Sequence, residues 1–285
     1  MTKAIQERNL VEEHFNLYEF VFSEIQKNPA TPQSDLLYYQ FMRDYYSNIL
    51  TAREQNKPLV LYNIYSQCEI LYAMDLVPYL QGHLNLITPL HNDCTDFFDL
   101  SKGHGVPSEI CSYERLRLGM TLAKGLIPPD FMVVTNLYCT GNHMMLDYVS
   151  ELCQVPIFSY DCPYNFDDEG VKYYVGQLKE LISFLEEQTK RKLDYDRLRE
   201  IVKQSKIATQ WYDKIGRIKG AVPAPSGATD YFRDLELTIL GVGTEAASNF
   251  LEAHYQELKA RVDKKQGMIP NEKYRIAWWG GYPLF

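Results

Sequence analysis

The sequence predicts an α/β protein built on a parallel, doubly wound sheet. Three short apolar runs suited to buried strands support this prediction, at residues 60–65, 131–136 and 155–160. Helical segments at 68–75 and 140–153 separate them, and strands that alternate with helices of this length indicate βαβ units. Such sheets bind ligands at the carboxyl ends of their strands, so functional residues are expected there.

Two amphipathic helices are predicted ahead of the first strand. One apolar face has spacings of four and three residues and consists of Val11, Phe15, Tyr18, Phe22 and Ile25. The second face repeats every four residues at Leu37, Phe41, Tyr45 and Ile49. We interpret residues 1–57 as an N-terminal helical cover over an α/β lobe that comprises residues 58–165.

Residues 166–272 are predicted to form a mostly helical insertion. The apolar face of its first helix consists of Val171, Val175, Leu178, Ile182 and Leu185. Asp194 and Thr244 are suited to cap two further long helices, because their side-chain oxygens can accept hydrogen bonds from a first helical turn.

The last segment, residues 273–285, combines a strand-like run with a Gly-Gly turn. In a Rossmann- or flavodoxin-like fold this pattern opens a new βα unit. We therefore expect the chain to be the first lobe of a two-lobe subunit, with the second lobe cut short. A C-terminal edge strand is the alternative.

Composition excludes several classes of function. With 29 Lys and Arg against 37 Asp and Glu, the net charge is −8, which argues against a nucleic-acid surface. The sequence has no run of about 18 apolar residues that would span a membrane. Its N-terminus is charged and lacks the features of a signal peptide, so a cytoplasmic location is expected.

Six cysteines are candidates for metal binding, at positions 68, 94, 111, 139, 153 and 162. None of them forms a Cys-x-x-Cys pair, so the usual spacings of zinc and ferredoxin sites are absent. Any metal site must therefore be assembled by the fold from residues that are distant in sequence. We interpret Cys94, Cys153 and Cys162 as structural.

Cys139 and Cys111 have the more suggestive positions. Cys139 follows a predicted strand end, although a small buried cysteine is a common alternative there. If Ser108 is an N-cap, Cys111 lies in the first turn of a helix, where the helix dipole favours negative charge on a thiolate or sulfide. The alternative is a cysteine that packs inward.

Other polar residues near these positions give weaker indications. Ser66 and Glu69 flank Cys68 just after a predicted strand, although Glu69 also suits an ordinary first helical turn. The sequence contains no P-loop motif for ATP. Arg115 and Arg117 could reach a phosphate, but we assign them to a solvated helix face.

Two segments that contain these cysteines resemble a known family. EICSYERLRLG (109–119) and PPDFMVVTNLYCTGN (128–142) are similar to the sequences around two cluster cysteines in subunits of 2-hydroxyacyl-CoA dehydratases and benzoyl-CoA reductases. CEILYAMDLVPYL (68–80) is similar to a third element of the family, with Asp75 where the family usually has glycine. The matches run from about residue 58 to 165, in the expected order.

The resemblance implies a 4Fe–4S cluster held by three cysteines between two α/β lobes. Cys111 and Cys139 correspond to two of these ligands, and the third is expected beyond residue 285. The ligand set within this chain would then be incomplete. Ser66 and Glu69 are the candidates for catalytic groups, which would bond the leaving hydroxyl or shuttle a proton.

The implied reaction removes water from a 2-hydroxyacyl-CoA through a ketyl radical, after one electron arrives from a separate ATP-dependent iron–sulfur activator. The resemblance also implies a homologous or identical second subunit. A benzoyl-CoA reductase or double-cubane reductase subunit is an alternative within the family. A non-catalytic electron-relay or ligand-binding subunit, or an inactive relative, is the alternative outside it.

Overall fold

The computed structural model of the protein describes residues 8–137 and 139–276. Four strands form its sheet: β1 (Leu59–Tyr62), β2 (Val77–Leu80), β3 (Phe131–Thr135) and β4 (Ile157–Tyr160). The helices are α1 (Leu10–Ile25), α2 (Gln33–Thr51), α3 (Cys68–Ala73), α4 (Gln81–His91), α5 (Thr95–Gly103), α6 (Ser112–Leu122), α7 (Thr140–Cys153), α8 (Asp168–Thr189), α9 (Tyr195–Ile218), α10 (Ala228–Leu240) and α11 (Glu245–Asp263).

The described chain divides into two compact units, each formed from separate segments of sequence. The first unit contains residues 8–14 and 46–194, and the second contains 15–45 and 195–276. Residues 273–276 carry no strand, and the rest of the segment predicted to open a second lobe, residues 277–285, lies outside the described residues. The four segments named from the sequence therefore stay predictions.

The sheet of the first unit is parallel throughout and has the strand order β2-β1-β3-β4. Every residue of β1, β2 and β3 is buried, as expected for a parallel sheet that is covered on both faces. The prediction of a parallel α/β fold is confirmed. The direction of strand succession reverses between β1 and β3, and this switch point is where open α/β sheets bind ligands.

Strand β2 was not predicted from the sequence, because Pro78 interrupts its pattern. Proline lacks a backbone N–H and is therefore tolerated mainly in edge strands. Here β2 is an edge strand that pairs with β1, with Val60 opposite Pro78. The helices α4 and α5, which follow it, were also not predicted.

Strand β1 ends three residues earlier than predicted. The backbone of Tyr65 has a φ of +72°, a left-handed conformation that a strand cannot contain. The turn before it is closed by a hydrogen bond of 3.1 Å from Ser66 N to Asn63 O. At β4 the predicted start at residue 155 is also wrong, since the strand begins only at Ile157, after Pro156.

The helix predicted from Val171 to Leu185 is present as α8, but its apolar face is only partly buried. Leu185 is fully buried, whereas Val171 and Val175 remain 52% and 43% exposed. The apolar face named from the sequence is therefore covered at Leu185 and largely open in the first two turns. Helical spacing shows that residues share a face, but tertiary packing decides how much of that face is covered.

Helices pack closely against the sheet and against each other in the first unit. One core cluster joins strands β1 and β3 to helix α7 and consists of Leu61, Met132, Val134, Leu146 and Val149. Helices α5 and α6 approach so closely that a Cβ added at Gly119 would collide with the backbone of Phe97. Glycine is required there for close packing.

The second unit has long helices and a buried charge cluster. Asp234 is fully buried between Lys219 and His254, with Lys219 Nζ at 2.6 Å from Oδ2 and His254 Nδ1 at 2.6 Å from Oδ1. Thr244 caps α11 as predicted, because its hydroxyl accepts a hydrogen bond from Ala247 N at 3.3 Å. None of the helices in the described ranges is long and apolar enough to cross a membrane.

His14 is buried in the first unit in a form that disfavours protonation. Its Nδ1 donates to Leu10 O at 2.6 Å, and its ring stacks on Tyr46 with 5.6 Å between ring centroids. Tyr46 in turn is hydrogen-bonded to His83 Nδ1 at 2.6 Å. Burial lowers the pKa of His14 from 6.5 to about 4, because a charged imidazolium loses its hydration there.

Because of the buried His14, we expect the free energy of unfolding to fall as the pH is lowered. The unfolded chain takes up a proton below pH 6.5, whereas folded His14 does so only below about pH 4. Stability should therefore be lost between these values, by about 3 kcal/mol for this one group. Urea denaturation across this range should show a flatter pH dependence for His14→Gln than for wild type. The control Gly176→Ala changes no titratable group and should retain the wild-type slope.

A pair of glycine variants tests the α5–α6 contact. Gly119→Ala should lower the free energy of unfolding by roughly 2–4 kcal/mol, because the added methyl displaces the backbone of α5. Gly176→Ala adds the same atom on an open face of α8 and should raise stability by about 0.5–1 kcal/mol. Equal effects in chemical denaturation would contradict the proposed close approach.

Candidate functional site

The switch point of the sheet is built around the side chain of Asn63, the residue that follows β1. Asn63 Nδ2 donates to Thr135 O at 2.8 Å, and Thr135 N donates to Asn63 Oδ1 at 2.9 Å. The amide side chain thereby bonds both backbone groups of the last residue of β3. The carboxyl ends of β1 and β3 are held together by this side chain.

Cys139 and Cys111 each occupy the N-cap position of a helix near the carboxyl ends of β1 and β3. Cys139 follows β3 and is the N-cap residue of α7, and Cys111 is the N-cap residue of α6, although neither thiol makes a capping hydrogen bond. Both cysteines are exposed. Because the first four N–H groups of a helix point outward at its N-terminus, each thiol lies in a field that favours negative charge.

The predicted start of α6 was wrong. Ser108 does not cap this helix, and Cys111 is the N-cap and not part of the first turn. A separate turn closed by Ile110 N to Pro107 O occupies the preceding residues. Hydrogen bonding of α6 starts at Cys111 O, which accepts from Glu114 N at 3.1 Å and from Arg115 N at 3.0 Å. The correction gives Cys111 the same position on α6 that Cys139 has on α7.

The two cysteine-capped helices are joined directly to each other. Asn142 is the third residue of α7 and Glu114 is the third residue of α6, and Asn142 Nδ2 donates to Glu114 Oε1 at 2.8 Å. Both side chains are buried, with exposed fractions of 7% and 4%. Cys139 lies three residues before Asn142, and Cys111 lies three residues before Glu114. The N-termini of α6 and α7 are therefore neighbours.

The charge of Glu114 is balanced within the same buried region. Arg117 Nε donates to Glu114 Oε2 at 2.9 Å, and Arg117 Nη1 donates to Gln81 Oε1 at 3.3 Å. Arg117 is 1% exposed, so its assignment to a solvated helix face was wrong. A buried guanidinium needs a carboxylate partner, and Glu114 supplies it one turn earlier on the same helix.

These bonds form one continuous series. The hydroxyl of Ser66 donates to Asn63 Oδ1 at 2.7 Å, and Asn63 Nδ2 donates to Asn142 Oδ1 at 3.1 Å. Asn142 and Arg117 then both donate to Glu114. Every member has its donors and acceptors in a fixed direction, so the series resists rearrangement. Of its members, the sequence had indicated a site role only for Ser66.

The two predicted catalytic residues have different surroundings. Ser66 is 8% exposed, and its hydroxyl is engaged by Asn63. Glu69 lies in the first turn of α3 and is partly exposed. Between them, Gln67 is held by Tyr160 and Tyr174, whose hydroxyls lie 3.0 and 2.9 Å from its backbone and side-chain nitrogens. The catalytic roles of Ser66 and Glu69 stay predictions.

The other four cysteines lie in surroundings that oppose thiolate formation. Burial raises the pKa of Cys68 well above its usual value and that of Cys94 to about 11. Burial also raises the pKa of Cys153, and of Cys162 together with the carboxylate of Asp161. Exposed thiols at helix N-termini are therefore a property of Cys111 and Cys139.

Metal ligation depends on how the donor side chains are grouped. Among the residues whose positions the structure describes, no three His, Cys, Asp or Glu side chains are grouped to hold a metal ion. The two thiols at the paired helix N-termini suit a soft, partly formed site, because thiolate sulfur is the preferred ligand of iron–sulfur clusters. Their role as cluster ligands stays a prediction.

The arrangement defines a class of protein: a parallel α/β unit in which two helices that each begin at an exposed cysteine are joined near the switch point of the sheet. Residues 63–284 match the family described as 2-hydroxyglutaryl-CoA dehydratase, D-component. Since the match covers most of the chain, this protein belongs to that family. The resemblance inferred from the sequence is confirmed.

Two curated relatives show how much of the family's chain is present. The sequence is 24% identical over 186 residues to the (R)-phenyllactyl-CoA dehydratase alpha subunit of Clostridium sporogenes, covering 62% of this chain and 46% of that one. It is 26% identical over 157 residues to (R)-2-hydroxyglutaryl-CoA dehydratase, subunit alpha, of Acidaminococcus fermentans, covering 53% and 33%. The matched region spans less than half the length of either relative.

The one departure from the family pattern noted in the sequence has a structural explanation. Asp75, where the family usually has glycine, has a φ of +57°. Glycine adopts this left-handed conformation freely, and aspartate is among the few other residues that tolerate it. Asp75 also accepts a hydrogen bond from Lys57 Nζ at 3.1 Å. The turn into β2 is therefore retained.

The exposure of the two capping thiols predicts the order of alkylation. In the native protein, iodoacetamide should modify Cys111 and Cys139 first, because the other thiols are shielded or have raised pKa values. Mass spectrometry of tryptic peptides would follow each site. The double variant Cys111→Ala with Cys139→Ala should lose the fast phase, and equally fast modification of Cys153 would contradict the prediction.

Proposed function

We propose that this chain is part of a 2-hydroxyacyl-CoA dehydratase in which Cys111 and Cys139 are two ligands of a 4Fe–4S cluster. The observation that carries the proposal is the Asn142–Glu114 hydrogen bond, which joins the first turns of two helices that each have an exposed cysteine at the N-cap position. Membership of the dehydratase family adds to it. The third ligand is expected outside the described residues.

The charges around the two thiols suit a negatively charged group. Each thiol stands at the positive end of a helix dipole, which stabilises thiolate and sulfide charge. The buried carboxylate of Glu114, in the first turn of α6, is compensated by Arg117. When bound, the cluster would supply a low-potential electron and a Lewis-acidic iron for the thioester carbonyl.

The two candidate catalytic residues would then divide their tasks. The hydroxyl of Ser66 is occupied by Asn63, so we assign Ser66 to fixing the loop between β1 and α3. Glu69 is partly exposed on the first turn of α3, at the same edge of the sheet. It is the better candidate to transfer a proton to the leaving hydroxyl, because a carboxyl group that is accessible to substrate and water can act as a general acid or base.

The substrate and partners follow from the family as proposals. Both relatives are named as dehydratase alpha subunits, which favours elimination of water from a 2-hydroxyacyl-CoA over reduction of an aromatic ring. An alpha subunit implies at least one further subunit, homologous or identical in our proposal. A separate ATP-dependent iron–sulfur protein would deliver the electron.

Reconstitution with iron tests this proposal. Under strict exclusion of oxygen, the chain is incubated with ferrous iron, sulfide and excess dithiothreitol, whose thiolates can complete the ligand set. It should take up iron and sulfide and develop broad brown absorption. The variants Cys111→Ala and Cys139→Ala should each lose most of the iron and colour, because a cluster needs its thiolate ligands. Cys153→Ala removes a half-buried thiol elsewhere and should retain both.

The result is decided by iron and sulfide analysis together with the visible spectrum. A wild-type protein that stays colourless while folded would overturn the proposal. Equal loss of iron in Cys153→Ala would show that the bound metal is not held by the two capping thiols.

A further inference from the structure

We propose that Asn142 and Glu114 are positioning residues that set the separation of the Cys111 and Cys139 thiols. The inference deepens the proposed function and rests on it for the identity of the metal, but the positioning itself concerns only the folded chain. Neither residue has a thiol, and neither was singled out by the sequence. Each would act through the cysteine three residues before it.

The first argument is geometric. A cysteine at an N-cap and the third residue of the same helix belong to one helical turn, which is a stiff connection. The bond of 2.8 Å between Asn142 and Glu114 therefore fixes one helical turn against the other. A change in this one contact shifts both thiol-bearing ends, whereas contacts further along α6 and α7 move them less directly.

The second argument is polarity. Asn142 uses its oxygen to accept from Asn63 and its nitrogen to donate to Glu114. Glu114 has its second oxygen committed to Arg117. The side-chain amide of Asn142 cannot turn over without placing oxygen against oxygen and nitrogen against nitrogen. The spacing is thus specified by hydrogen-bond direction as well as by shape.

This polarity allows a reciprocal test. Asn142→Asp alone places a carboxylate against the carboxylate of Glu114. Glu114→Gln alone leaves one pair of N–H groups facing each other, either at Asn142 or at Arg117. When both substitutions are combined, the new amide at position 114 can donate to the new carboxylate at position 142 and accept from Arg117. That carboxylate also accepts from Asn63, so all the bonds are restored with the charge moved to the other helix.

The readout is a bifunctional thiol reagent, dibromobimane, which becomes strongly fluorescent only after both of its bromomethyl groups have reacted. With the full chain at low concentration, wild type should form an internal link between Cys111 and Cys139, identified by peptide mapping. Each single variant should form it roughly tenfold more slowly or worse, as expected when a buried polar group loses its partner. The double variant should recover the wild-type rate.

A matched control separates positioning from general loss of stability. Val149→Ala opens a cavity in the core face of α7, away from the Asn142–Glu114 bond, and should keep the link. Circular dichroism would establish that each protein is folded. If a single variant does not fold, the rate of linking in the double variant is compared with that in Val149→Ala. This comparison still tests the positioning role, since only that role requires the restored bond.

The outcomes are distinct for the two proposals. If folded wild type forms no Cys111–Cys139 link, the two thiols do not share one site and the proposed function fails. If the folded single variants link as fast as wild type, the positioning role is overturned while the paired thiols of the proposed function stand. A folded double variant that stays slow while Val149→Ala is fast also overturns the positioning role.

Discussion

The hydrogen bond from Asn142 to Glu114 is the interaction on which the arrangement of the site depends. It lies in a buried region, where the strength of a hydrogen bond and the cost of losing a partner are both greater than in water. It joins the first turns of α6 and α7, and both of these turns begin with an exposed cysteine. It is therefore a direct link between the two thiol-bearing helix ends.

The ion pair of Glu114 and Arg117 fixes which residue donates and which accepts in the Asn142–Glu114 bond. Removing two charges from water costs about as much as their attraction returns, so such a pair is a weak source of stability. Its contribution here is specificity, because a carboxylate accepts hydrogen bonds and cannot donate them. Glu114 thereby fixes the orientation of Asn142, which fixes Asn63 and the hydroxyl of Ser66. A polar series of this kind connects β1 and β3 to the thiol-bearing helices.

The sheet topology explains why the series lies where it does. The succession of strands reverses between β1 and β3, so the loops that follow these strands diverge. Backbone N–H and C=O groups at the strand ends then need hydrogen-bond partners. The side chain of Asn63 hydrogen-bonds the N–H and the C=O of Thr135 and so holds the ends of β1 and β3 together. The chain belongs to a family of acyl-CoA dehydratase subunits and matches less than half the length of two of them. Both cysteines and the hydrogen-bonded residues that join their helices lie within residues 63–142 of this chain.

The sequence by itself determined the parallel α/β class, the segments that form β1, β3, β4 and α7, the cap at Thr244 and the family. These depend on apolar periodicity and short motifs, which are local. Tertiary structure decided the rest. Strand β2 contains Pro78 and forms only as an edge strand of the sheet. The turn after β1 has a left-handed residue at Tyr65, and Arg117 is buried. Tertiary structure also decided that Asn142 meets Glu114, since residues 28 positions apart are brought together only by the packing of two helices.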